Sequence, residues 1–137
     1  MDVQEYMKPT PEPTADTQAF WDGLKQGRLL LQKCSSCGKV RHYPRPVCPH
    51  CYSMEHHWSE AAGTGTVYSW TISHHAFHPG FKPELPYVLL TVELDEGVRM
   101  QAQARGIQAS DLKVGLPVKI AFEPATNDLV LPVFEHA

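Results

Sequence analysis

Residues 34–51, CSSCGKVRHYPRPVCPHC, hold two Cys-x-x-Cys turns, Cys34–Cys37 and Cys48–Cys51, with ten residues between them. Each turn can aim two sulfurs at one point, and the short run between them lets the turns fold against each other. The spacing therefore predicts a tetrahedral four-thiolate Zn²⁺ site and a small zinc ribbon around it. With cysteine in all four positions, no coordination position is left for water or substrate, so the expected metal is structural. Three other uses compete. Paired disulfides suit a secreted miniprotein, but the chain opens with no apolar signal segment and is long enough not to depend on bridges. Redox cycling of one pair leaves the other unexplained. A four-thiolate iron centre takes the same ligands, although zinc is the commoner occupant. His42, His50, His56 and His57 lie nearby as substitute ligands, with His50 inside the second turn beside two better-placed sulfurs.

Around this stretch, 137 residues with 42% hydrophobic content can build one modest core plus a metal-stapled appendage. No segment approaches the roughly 20 consecutive apolar residues of a membrane helix. Thiols kept free for metal imply a reducing compartment, hence the cytoplasm. A net charge of −3 argues against a chain that coats nucleic acid by charge alone. That average hides an asymmetry: Lys25, Arg28, Lys33, Lys39, Arg41 and Arg45 follow one another with no Asp or Glu between residues 25 and 45. Such a run attracts a phosphate-bearing ligand or an acidic surface, or is simply a solvated ribbon face.

Upstream, Pro9, Pro11 and Pro13 predict an extended arm over residues 1–13 that orders only against something else. Residues 14–61 are expected to form a helix plus the ribbon. Thr14 or Asp16 can cap the helix, Gly27 stops it, and Phe20, Trp21 and Leu24 share one face. So short a helix has little of its own to bury, which makes that face a candidate partner-binding surface; packing on the chain's own body is the alternative. Leu29–Leu31 and Val40–Tyr43 read as ribbon strands, and residues 52–62 as a polar connector ending at a domain boundary near residues 61–63.

From residue 62 to 137 the pattern is β. Residues 67–74 and 87–94 read as strands, and Asp95-Glu96-Gly97 as a tight hairpin. Val98, Met100, Ala102 and Ala104 then alternate with Arg99, Gln101, Gln103 and Arg105. A helical turn near residues 109–113 precedes the alternating Val118, Ile120 and Phe122, and Asn127-Asp128 turns the chain into Leu129–Phe134. The expected fold is therefore mainly β: a short N-terminal helix, a zinc ribbon, then a five-stranded OB-fold barrel, with an SH3-like barrel as the fallback.

The succession Phe20-Trp21-x-Gly23-Leu24, Leu31-x-x-Cys34-x-x-Cys37-Gly38, Tyr43-Pro44-x-Pro46-x-Cys48-Pro49-x-Cys51 and Gly63-x-Gly65-x-Val67-x-Ser69 resembles the zinc-ribbon and OB-fold proteins long labelled domain of unknown function, number thirty-five. The resemblance spans nearly the whole chain. It implies an N-terminal helix, a rubredoxin-like ribbon and an OB barrel, in a small subunit that accompanies thiolase-like or lipid-transfer-protein-like enzymes of acyl-CoA, steroid side-chain or polyketide-like metabolism. Acyl-CoA binding is implied as well. Tyr52 departs from the pattern, which has glycine after the last cysteine.

No self-contained catalytic machinery is legible. Every cysteine is assigned to metal, and no other nucleophile carries a signature. Gly63-x-Gly65 lacks the third glycine and following helix of a dinucleotide loop. His74, His75 and His78 share a long loop with Phe77, Phe81 and Lys82, read as a proline-stiffened aromatic finger rather than an acid–base pair or second metal site. OB barrels present ligands on their second and third strands. Arg99 and Arg105 are therefore candidates for CoA phosphates, and Trp70, Phe77 or Phe81 for stacking on adenine. The expectation is a non-catalytic, zinc-binding subunit in a hetero-oligomer with a thiolase-like acyl-CoA enzyme of carbon–carbon bond cleavage or formation. Alternatives are a single-stranded nucleic-acid module, disfavoured by the acidic barrel, and a stand-alone acyl-CoA-binding protein.

Overall fold

Helix α1 (Gln18–Lys25) leads into a three-stranded antiparallel sheet in the order β2-β1-β3, from β1 (Leu30–Cys34), β2 (Val40–Arg41) and β3 (His56–Glu60). The computed structural model describes residues 6–137, so the first five residues of the expected arm lie outside the described residues. Strand β3 corrects the reading of residues 52–62 as a mere connector. Its sequence, HHWSE, carries no apolar alternation, and what makes it a strand is five register pairs with β1, from Leu30↔Glu60 to Cys34↔His56. Backbone pairing against an existing strand overrides weak local propensity.

Strands β4 (Thr64–Ser73), β5 (Tyr87–Leu94), β6 (Arg99–Ala104), β7 (Pro117–Thr126) and β8 (Leu129–His136) close a barrel in the order β4-β5-β6-β8-β7. The barrel shuts where β7 returns to β4, pairing Thr64 with Lys119 and Gly65 with Val118. One neighbour pair, β6 with β8, is parallel and short, limited to Gln103↔Val133 and Ala104↔Phe134. A 3-10 helix, Ala109–Asp111, lies between β6 and β7, where the sequence places a helical turn. Over the first half of β6, Tyr43 from the ribbon lies where a strand is missing, its hydroxyl accepting the Gln101 N–H at 3.3 Å.

Alternation turns Val67, Leu90, Val92, Leu94, Met100, Val118 and Phe134 into the barrel interior. Phe20, Leu24, Leu29 and Leu31 belong to the same continuous core. Phe20 is 6% and Leu24 1% exposed, which corrects the expectation of a partner-binding face on this helix for those two residues. The helix meets both β1 and β8, so it has far more of its own chain to bury against than the ribbon alone. Trp21 is half-buried against that core. Gly27, at φ +70°, ends the helix, its N–H donating to the Leu24 carbonyl at 3.1 Å and that of Arg28 to the Gly23 carbonyl at 2.9 Å.

The described part of the arm lies on the chain's own barrel, where its reading as a segment ordered only by something else does not hold. Lys8 Nζ is 2.9 Å from Glu84, and the Met7 carbonyl rests on Gly80. Gly65 marks the other close approach: a Cβ there would overlap the Glu93 carbonyl across β4–β5. Gly65→Ala is accordingly expected to destabilise the barrel by roughly 1–3 kcal/mol through backbone displacement, read as a lowered urea midpoint with an unchanged slope.

Candidate metal centre and its surroundings

The two cysteine turns have the same construction. In the first, the Gly38 N–H donates to the Cys34 carbonyl at 3.0 Å and Cys34 N–H to the Lys39 carbonyl at 2.9 Å; in the second, Tyr52 N–H donates to the Cys48 carbonyl and Cys48 N–H to the Ser53 carbonyl, both at 2.9 Å. The residue after each second cysteine is left-handed, Gly38 at φ +78° and Tyr52 at φ +64°. That is why glycine suits the position and why Tyr52, lacking glycine's freedom, stands out.

All four sulfurs lie within 4.8 Å of one another. Cys34 Sγ is 3.6 Å from Cys51 Sγ, and Cys37 Sγ 3.7 Å from Cys48 Sγ. A tetrahedron with Zn–S bonds of about 2.3 Å has edges of about 3.8 Å, so the donor set fits Zn²⁺. All four cysteines are free thiols. Backbone N–H groups, chiefly that of Cys37, hold the Cys34 thiol down to about 6, and that of Cys51 lowers Cys48. Both sulfurs are thereby biased toward the thiolate a metal needs. Cys34 and Cys48 are buried, whereas Cys37 is at the surface. Among the described residues, this is the one group of three or more potential ligands at metal-binding separations, and it contains sulfur only. His57 instead pairs with Ser35 Oγ at 3.0 Å, and His56 packs edge-on to Trp58.

His42 sits between Phe20 and Tyr43, with ring centroids 5.3 and 4.0 Å away, and neither ring nitrogen has a protein partner. Burial pushes it down from 6.5 to about 4. The unfolded chain therefore binds a proton that the folded chain refuses between those values. Stability contributed at this site is intact above about pH 6.5 and is lost as pH falls toward 4. Comparing wild type with His42→Phe should show an excess acid sensitivity on the order of 2 kcal/mol by about pH 4.5 in denaturant melts; parallel pH profiles would refute it.

The residues singled out for ligand binding are dispersed. The Arg99 guanidinium lies 3.7 Å over the Tyr68 ring. Arg105 is held by Glu123, Glu84 and Gln103 at 3.0–3.4 Å and 2.7 Å, in a cluster that also takes in Lys8. The two arginines stand at opposite ends of β6, about 20 Å apart at strand rise, so one phosphate group does not bridge them. In the predicted finger, residues Pro79–Glu84 form a 3-10 helix, and His78 Nδ1 accepts the Gly80 N–H at 3.0 Å at its start. Phe81 packs on Tyr87 at 5.4 Å. His75 and Phe77 pair edge-on at 4.6 Å, Phe77 being 87% exposed. His74 and Lys82 are exposed, and Trp70 is partly so. The ion cluster around Arg105 escaped sequence reasoning because Lys8, Glu84, Arg105 and Glu123 come from four distant segments with no shared motif.

A four-thiol ribbon joined through one core to a five-stranded OB barrel defines a class of small zinc-ribbon–OB proteins. Residues 21–56 match the family described as the ChsH2 rubredoxin-like zinc ribbon domain, and residues 58–123 the ChsH2 C-terminal OB-fold domain. A DUF35 domain-containing scaffold protein of Methanocaldococcus jannaschii is 30% identical over 110 residues, 79% of this chain and 77% of that protein. The chain belongs to the DUF35 family. A probable enoyl-CoA hydratase alpha subunit of Thermomonospora curvata is 42% identical over 131 residues, 96% of this chain, which spans only 40% of that subunit's length. Among solved structures, a chain of the Ltp2-ChsH2(DUF35) aldolase superposes with a TM-score of 0.84 at 41% identity, covering 93% of this chain and 98% of that one. No helix among the described residues is long and apolar enough to cross a membrane.

Proposed function

We propose that this chain is a non-catalytic subunit, stapled by one structural Zn²⁺, that docks on a thiolase-like or lipid-transfer-protein-like enzyme and helps form its acyl-CoA site. The observation that carries this reading is the near-complete superposition on a chain of an aldolase complex, at 41% identity. Kinship with an enoyl-CoA hydratase alpha subunit supports the acyl-CoA side. The chain's own chemistry agrees: its four thiols converge on one point where metal would consume them. Exposed Tyr52, Met54 and Phe77, 78%, 69% and 87% accessible, offer apolar contacts to a partner. Carbon–carbon bond cleavage or formation then uses the partner's nucleophile or base, while this chain supplies surface and positioning. Such a hetero-oligomer works in the reducing cytoplasm.

Co-expression with a thiolase-like protein, followed by size-exclusion chromatography and turnover of an acyl-CoA substrate with and without this chain, tests the reading. A stable complex whose activity falls when this chain is withheld is the expected result. A partner fully active alone, or turnover by this chain unaided, overturns it.

A further inference from the structure

Of the chain's five arginines, Arg28 and Arg105 are ion-paired to carboxylates, while Arg41, Arg45 and Arg99 have no carboxylate partner among the described residues. These three line a single open groove of about 370 Å³, walled by β2 and its following loop on one side and the β5–β6 hairpin on the other. The ribbon and the barrel thus each contribute cations to one place, although like charges repel.

Hydrogen bonds tie the ribbon wall of the groove together. Arg41 is 7% exposed; its Nη2 donates to the Arg45 carbonyl at 3.0 Å, and its Nε and Nη1 have no protein partner. A buried guanidinium left in that state is costly unless negative charge approaches it. The Arg45 backbone is fixed from the other side as well, its N–H donating to Gln32 Oε1 at 2.8 Å. The Arg99 guanidinium is held over the Tyr68 ring, 3.7 Å from its centroid. The one acidic lining residue is Glu93, cross-strand neighbour of Arg99. Three cations against one carboxylate leave two net positive charges, the complement of a phosphomonoester dianion rather than of a single carboxylate.

We propose that this groove is a phosphomonoester-binding site in which Arg45 and Arg99 grip the phosphate oxygens and buried Arg41 supplies positive potential from behind. Its open shape lets the esterified part of the ligand extend outward. Coenzyme A carries one such group, so the site deepens the reading of an acyl-CoA subunit and rests on it for the ligand's identity; the groove's preference for phosphate does not depend on it.

Titration of the full, zinc-loaded chain by calorimetry, with coenzyme A, dephospho-coenzyme A, adenosine 3′-monophosphate and citrate as probes, tests the proposal. Coenzyme A is expected to bind at least about tenfold more tightly than its dephospho form, and Arg45→Gln and Arg99→Gln each to weaken it about tenfold or more. Both side chains are exposed, so unchanged zinc content and circular dichroism serve to show that the variants fold. Adenosine 3′-monophosphate binding as tightly as coenzyme A, with the same dependence on Arg45 and Arg99, upholds the groove while removing the case for acyl-CoA. Dephospho-coenzyme A or citrate binding as tightly as coenzyme A, indifference to both substitutions, or no binding of any probe overturns it. An unaided, fully active partner enzyme would sink the subunit reading and leave these titrations standing.

Discussion

Stripping the metal, or replacing Cys34 with serine, is expected to unfold the ribbon outright and to lower the melting temperature of the barrel with it. The cysteine-turn end of the ribbon has little else to hold it: β2 is two residues long, and Cys34 and Cys48 are among its most buried side chains. Structural zinc in comparable peptides contributes about 10–16 kcal/mol, as much as or more than the 5–15 kcal/mol of a whole domain. Because Leu29 and Leu31 lie in one core with Val67, Leu90 and Phe134, losing the ribbon uncovers barrel residues. Zinc-loaded protein should melt in a single transition by circular dichroism. Cys34→Ser or chelated protein should lose the ribbon signal and melt its remaining strands earlier. A barrel transition unmoved by metal loss would show the two parts to be energetically separate.

Leu24→Ala is the second large effect. Leu24 is 1% exposed at the meeting of α1 with β1 and β8, and truncating a leucine so enclosed costs about 2–5 kcal/mol in lost transfer energy and residual cavity. For a chain of this size that is a fall in Tm of about 10 °C. Trp21→Ala, at a half-buried position on the same helix, should cost less. A change of only a few tenths of a kcal/mol in Leu24→Ala would return the helix to the role of a free docking face.

The barrel and the metal knuckles were readable because their determinants are local. Cysteine spacing needs only a turn to bring sulfurs together, and the strict alternation from Val98 to Arg105 assigns an inner and an outer face within one strand. What resisted reading depends on neighbours far along the chain. Residues 56–60 look polar and unstructured until β1 lies beside them. Phe20 and Leu24 form a plausible docking stripe until β8 arrives beneath it. Arg99 belongs with Arg41 and Arg45, more than fifty residues earlier, not with Arg105 just past the end of its own strand, whose charge Glu84 and Glu123 take up.

Tyr43 gives the zinc knuckles a further role. The first half of β6 has no neighbouring strand on the β8 side, and the ribbon loop shields it there, with the Tyr43 hydroxyl taking the Gln101 N–H. Unmated strand borders invite pairing between molecules. Withdrawing zinc would thus unmask a sticky flank as well as melt a lobe, tying the protein's solubility in the cell to its metal supply.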